Sequence, residues 1–102
     1  MSAEFALVAP MAVLLVGACV AALAVATDAI RLADAAGLSA RALGRGDDAF
    51  AAEVVDRLAP GASMSVERET LVCVRLERVV ALGPIPATIP LSARSCAPEG
   101  GL

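Results

Sequence analysis

The side chains able to do acid–base or nucleophilic chemistry are few and scattered. Glu53, Asp56, Glu67, Glu69 and Glu77 could hold protons, but no two are spaced as an acid–base pair, and each reads as an ordinary carboxylate on a solvated face. The chain has no His, Tyr or Trp, which removes imidazole chemistry, most zinc-site designs and aromatic stacking platforms. It has no Walker-type glycine loop, nucleophile elbow or CxxC. Arg45-Gly46-Asp47 is three common residue types in a row and implies no integrin contact. These residues predict a protein that is not an enzyme and takes no cofactor or metal. The net charge of −3, with the acids spread along the chain, gives no support for nucleic-acid binding.

The three cysteines divide by surroundings. Cys19 sits in an apolar run and reads as a small hydrophobe. Cys73 and Cys96 lie far downstream. They would form one disulfide if that part is exported, or two buried thiols on separate strands if it is not.

The element that organises the chain is residues 5–26, FALVAPMAVLLVGACVAALAVA, which carry no charge. An unbroken helix of that length would cross the roughly 30 Å hydrocarbon core of a bilayer. A helix apolar on every face has little use in a soluble domain of this size, whose core offers one side to bury against. Gly17, Ala18, Ala21 and Ala22 favour close packing against other helices, and Pro10 is tolerated in a membrane helix. Ala24-Val25-Ala26 before Thr27 also fits the small-x-small rule for signal-peptide cleavage, although the run exceeds the usual signal core and no basic residue precedes it. Taken alone, Arg31, Arg41 and Arg45 after the run would leave the distal part cytoplasmic.

Helix character continues through residues 27–44, which makes residues 5–44 one rod of about 60 Å unless Gly37 breaks it. Asp28 with Arg31, and Arg31 with Asp34, can pair on a wet face. Ala29, Ala33, Ala36, Ala40 and Leu43 form a narrow stripe of mostly small side chains. Gly44 or Gly46 ends the rod, and Asp47 caps a short helix over residues 48–58, with Phe50 as a core anchor beside Ala51, Val54, Val55 and Leu58.

From residue 62 the period switches to two. Met64, Val66 and Arg68 mark a first strand. Residues 71–79 mark a second, with Val72, Val74 and Leu76 on one face and Cys73 on the other. The connection falls at Glu69-Thr70. Residues 82–90 read as a rigid proline-rich loop that cannot be a central strand. Residues 88–96 give a third strand, Ile89, Leu91 and Ala93 on one face, Cys96 on the other, and the tail APEGGL frays. The predicted fold is α+β: a transmembrane segment over residues 1–27, an amphipathic continuation over 28–45, and a distal domain over 46–102 in which a short helix packs on about three antiparallel strands.

At the N-terminus, SAEFALVAPMAVLLVGACVAAL resembles the start of TadE-like minor pilins (pseudopilins) of the tight-adherence, Flp-type pilus system. Glu4, Phe5, Ala6, Leu7, Val8 and Pro10 carry the match. DAAGLSARALGRGDD and PGASMSVERETLVCVRL resemble the downstream part of actinobacterial-type members. The resemblance implies a non-enzymatic subunit used in pilus assembly or secretion. It would be a single-pass protein of the cell membrane with its distal domain outside, and would pass into an extracellular pilus on assembly. Its partners would be the lipid bilayer and other pilin subunits, met through the N-terminal helix. Glu4 would match the acidic residue that pairs with a neighbouring subunit's free amine, with Phe5, Pro10 and Gly17 as structural positions of the same helix. The family's basic leader ending in Gly does not precede the motif here, which leaves processing by a prepilin peptidase open. The other readings are a secreted binding protein released by cleavage after Ala26 and a single-span accessory subunit of another membrane complex.

Overall fold

A computed structural model describes residues 2–82 and 85–100 of the chain. Five elements follow one another: α1 (Ser2–Gly44), α2 (Asp48–Leu58), β1 (Ser63–Arg68), β2 (Leu71–Leu82) and β3 (Ile85–Pro98). The fold is α+β, a long apolar helix, a short helix and a three-stranded antiparallel meander in the order β1-β2-β3.

The rod is unbroken. Pro10 lies in the second or third turn, where the hydrogen bond it deletes is close to the helix's free end, and Gly37 stays helical because the sheet packs beside it. The helix leads two lives. Its first half is bare. Its second half buries Leu32, Ala35, Ala36, Ser39, Ala40, Ala42 and Leu43 against the sheet and α2. This face is rotated from the expected alanine stripe: Ala36, Ala40 and Leu43 belong to it, whereas Ala33 is exposed and Ala29 half-buried. Leu32 and Ser39 take their places because the buried arc is wider than one stripe, and the Ser39 hydroxyl is satisfied by donating to the Ala36 carbonyl at 3.2 Å. Asp28 pairs not with Arg31 but with Arg78 on β2, at 3.6 Å, since the sheet brings a cation to that face.

Gly46 turns the chain between the helices at φ 81°, and the Asp47 carboxylate accepts from the Phe50 N–H at 3.2 Å as the cap of α2. Helix α2 packs beside α1 through Ala51, Val54 and Val55. Phe50 is not the expected core anchor. It is 40% exposed in the first turn of α2, flanking the face that Ala51, Val54 and Val55 define.

Strand β2 supplies the sheet's core side. Val72, Val74 and Leu76 are fully buried, each contributing about 1.5–3 kcal/mol relative to exposure. The sheet runs further than expected. Strand β2 reaches Leu82 and β3 starts at Ile85, so most of the expected proline-rich loop over residues 82–90 is strand; its residues 83 and 84 lie outside the described ones. The prolines survive because β3 is an edge strand. Pro90 stands opposite Val79 and Pro98 opposite Leu71, two positions of one pairing class, whose N–H groups are not needed by the neighbour.

The expected fraying of the tail is also corrected up to Gly100. Ala97 is buried, and the Gly100 N–H donates to the Gly44 carbonyl at 3.0 Å, which ties the end of β3 to the end of α1. Residues 101 and 102 lie outside the described ones. A Cβ on Gly44 would stand 2.7 Å from the Pro98 carbonyl oxygen. Gly44→Ala should therefore lower the stability of the folded domain by roughly 1–3 kcal/mol, read as an earlier denaturant midpoint in detergent. An unchanged midpoint would contradict the close approach.

Candidate assembly helix

The exposed half of α1 is built by exclusion. The domain packs on one end of the helix, and none of the described residues reaches the other. From Ala3 to Val20 every side chain but the half-buried Ala9 is exposed. Phe5, Leu7, Met11, Val13, Leu14 and Leu15 are each at least 67% exposed. This stretch is the one helix among the described residues long and apolar enough to cross a membrane. A continuous apolar surface of this size on a monomer needs a non-aqueous surrounding. The chain is thus a single apolar helix of membrane-spanning length with a folded domain beyond it.

The expected site residues fall in two groups. Glu4, Phe5, Pro10 and Gly17 all lie on the bare half, and none touches the domain. Pro10 and Gly17 stand seven residues apart and share a helix face, while Glu4 and Phe5 lie off it. A Cβ on Gly17 would meet nothing within 4 Å, so this glycine leaves a notch open to the surroundings. Glu4 is exposed in the first turn, and no ion pair among the described residues includes it. Cys19 is a free, exposed thiol on the same surface.

The second group is Cys73 and Cys96, on the sheet face away from α1. They stand directly opposite in register with Cα atoms 4.0 Å apart, and the structure joins them in a disulfide. Cys73–Cys96 belongs to the same pairing class as Leu71–Pro98 and Val79–Pro90, in which no ladder bonds intervene and the chains approach most closely. The prolines of β3 thereby place the cysteine pair where a cross-strand bridge fits. The periodicity shows that both cysteines share a face, but only the register brings them opposite each other.

The carboxylates singled out from the sequence form no reactive cluster. Glu53 pairs with Arg57 at 2.7 Å and Glu77 with Arg75 at 2.9 Å, all on exposed surface. Glu67, Glu69 and Asp56 are exposed. A surface depression of about 550 Å³ is lined by that Arg75–Glu77 pair together with Ser63 and Ser92. No group of three potential metal ligands occurs among the described residues. What the sequence reading missed is Asp28 with Arg78, each about a third exposed, at the junction of the bare and packed halves of α1. The long separation of these two residues hides the pair from any local pattern.

No family model, curated protein or solved structure matches this chain.

Replacing both bridging cysteines with Ser should cost about 3 kcal/mol of domain stability, from the size of the loop they close. Reduction of the wild-type protein should raise its intact mass by two hydrogens. An unchanged mass after reduction and a variant as stable as wild type would show that no bridge forms. Gly17→Leu should leave the unfolding midpoint of the domain where it is, because it fills empty space far from the core.

Proposed function

We propose that this chain is a non-enzymatic structural subunit of the TadE-like minor pilin (pseudopilin) kind, serving assembly of a tight-adherence type pilus or a related secretion apparatus. The carrying observation is the division of labour along α1: one continuous helix whose second half is spent on its own core and whose first half is left wholly to other partners. A subunit that waits in a bilayer and then joins a bundle of similar helices needs that layout.

Three features support the reading. Gly17, Ala18, Ala21 and Ala22 keep the bare helix thin, so that a neighbouring helix backbone can come close. Glu4 is an acid at the start of an apolar run, costly in a membrane unless paired, and the resemblance supplies a neighbour's free amine as its partner. The Cys73–Cys96 bridge favours an oxidising compartment, which supports an orientation with the domain outside the cytoplasm and the N-terminus inside. That outweighs the opposite tendency of Arg31, Arg41 and Arg45, because all three lie on or next to the packed half of α1 and belong to the folded domain.

In this role no bond is made or broken. The bilayer holds the helix, Glu4 sets its register against the next subunit, and the domain makes the outward contacts. Glu4→Ala should leave the amount of protein in the membrane fraction unchanged and lower the assembled, shear-released fraction about tenfold, equivalent to ~1.4 kcal/mol per contact. Glu4→Gln should lower it similarly, since the charge and not the shape does the pairing. Wild-type assembly of both variants would remove Glu4 from the mechanism. Recovery of an exported protein that begins at Thr27 would favour the secreted binding protein instead, and a retained but never assembled helix would favour the accessory subunit.

A further inference from the structure

We infer that the β2–β3 hairpin is a second membrane contact, with residues 79–82 of β2 and 86–90 of β3 seated shallowly in the outer edge of the bilayer that α1 crosses. The inference rests on the reading of α1 as a membrane span.

Three contacts set the sheet against the helix. Gly44 meets Pro98, Gly37 faces the Ser95 hydroxyl, and Asp28 pairs with Arg78, whose register partner is Leu91. Positions 98, 95 and 91 of β3 thus follow positions 44, 37 and 28 of α1 in order. The hairpin continues past this last contact by four residues of β2, from Val79 to Leu82. At strand rise that is about 13 Å, directed back towards the N-terminus of α1. On the helix, Ala21 and Val25 lie in the same direction from Asp28, the farther by about 10 Å. These two are half-buried among exposed neighbours, and with Asp28 and Ala29 they recur at helical spacing on one face. Helix α2 packs near the other end of α1, and β1 has no contact with α1, which leaves the hairpin as their cover. Val79–Leu82 therefore stand level with residues 21–25, inside the uncharged run of 5–26.

The chemistry of the hairpin suits that level. Residues 79–93, VVALGPIPATIPLSA, carry no charge, whereas the rest of the sheet carries Glu67, Arg68, Arg75, Glu77, Arg78 and Arg94. Val79 is 64% exposed on the outer face. An open strand edge is normally excluded from lipid by its unpaired N–H groups; Pro86 and Pro90 on edge strand β3 have none, which reduces that cost and leaves the Thr88 N–H between them for the headgroup region. Arg78 and Asp28 sit just behind Val79–Leu82, where a long cationic side chain reaches headgroups while its stem stays apolar.

The test uses the full chain, which has no Trp or Tyr, so that one introduced Trp reports alone. Val79→Trp and Thr88→Trp probe the tip, Leu71→Trp probes the opposite end of the sheet, and Leu14→Trp probes the span. Each variant is reconstituted at high lipid-to-protein ratio in phosphatidylcholine–phosphatidylglycerol vesicles, with and without acyl chains brominated near the headgroup or near mid-chain. Shallow bromines should at least halve the emission of Trp at 79 and at 88 and leave Trp at 71 unchanged, and mid-chain bromines should quench Trp at 14. Tip emission that is open to aqueous acrylamide and untouched by brominated lipid would overturn the hairpin contact. Blue-shifted tip emission that no lipid quenches would mean that protein covers the hairpin, and would overturn it too. Failure of the Leu14→Trp probe would bring down the span itself, separately from the hairpin. Agreement between positions 79 and 88 guards against one substitution that misfolds.

Discussion

A helix is the one backbone arrangement that satisfies its own polar groups in water and in lipid alike, and α1 uses that property over 43 residues. No joint separates the apolar stretch from the packed one. The domain is therefore rigidly coupled to whatever holds the first half, because the same hydrogen-bond ladder runs through both. A break at Gly37 would have produced a tethered domain. The continuous helix produces a domain with a fixed pose on its stem.

What holds the domain to the stem is close approach rather than bulk. Most of the buried positions of α1 are Ala or Gly, so the sheet can come near its backbone. Gly44 takes this furthest, with the Pro98 carbonyl where a side chain would be and a hydrogen bond from Gly100 to its own carbonyl. The end of β3 is thereby tied to the end of the helix. The larger apolar side chains, Leu32, Val72, Val74 and Leu76, then fill the space between helix and sheet. The disulfide stands on the far side of the sheet, where no core braces it, and locks β2 to the edge strand β3.

Electrostatics does little for stability and more for position. Four of the five ion pairs among the described residues are largely exposed and worth little each. The Asp28–Arg78 pair differs in its place, at the level where charge returns along α1 after the uncharged run of 5–26 and last appears along β2. Helix and hairpin change from charged to uncharged at the same height, which is how a single boundary plane between two solvents would be met by two elements.

The local patterns in the sequence were enough for the elements and for the apolar stem. Twenty-odd uncharged residues, the glycine and aspartate at 44–47, and the switch from period 3.6 to period two each depend on neighbours in the chain. So does the assignment of Val72, Val74 and Leu76 to one face. Tertiary structure decided what depends on distant residues: that Leu32 and Ser39 join the buried arc, that Phe50 does not, that proline-bearing residues 85–90 lie in an edge strand, and that Asp28 finds Arg78. Cys73 and Cys96 show the division plainly. Parity puts them on the same side of the sheet, but only the register of β2 on β3, set by contacts across the whole domain, puts one opposite the other.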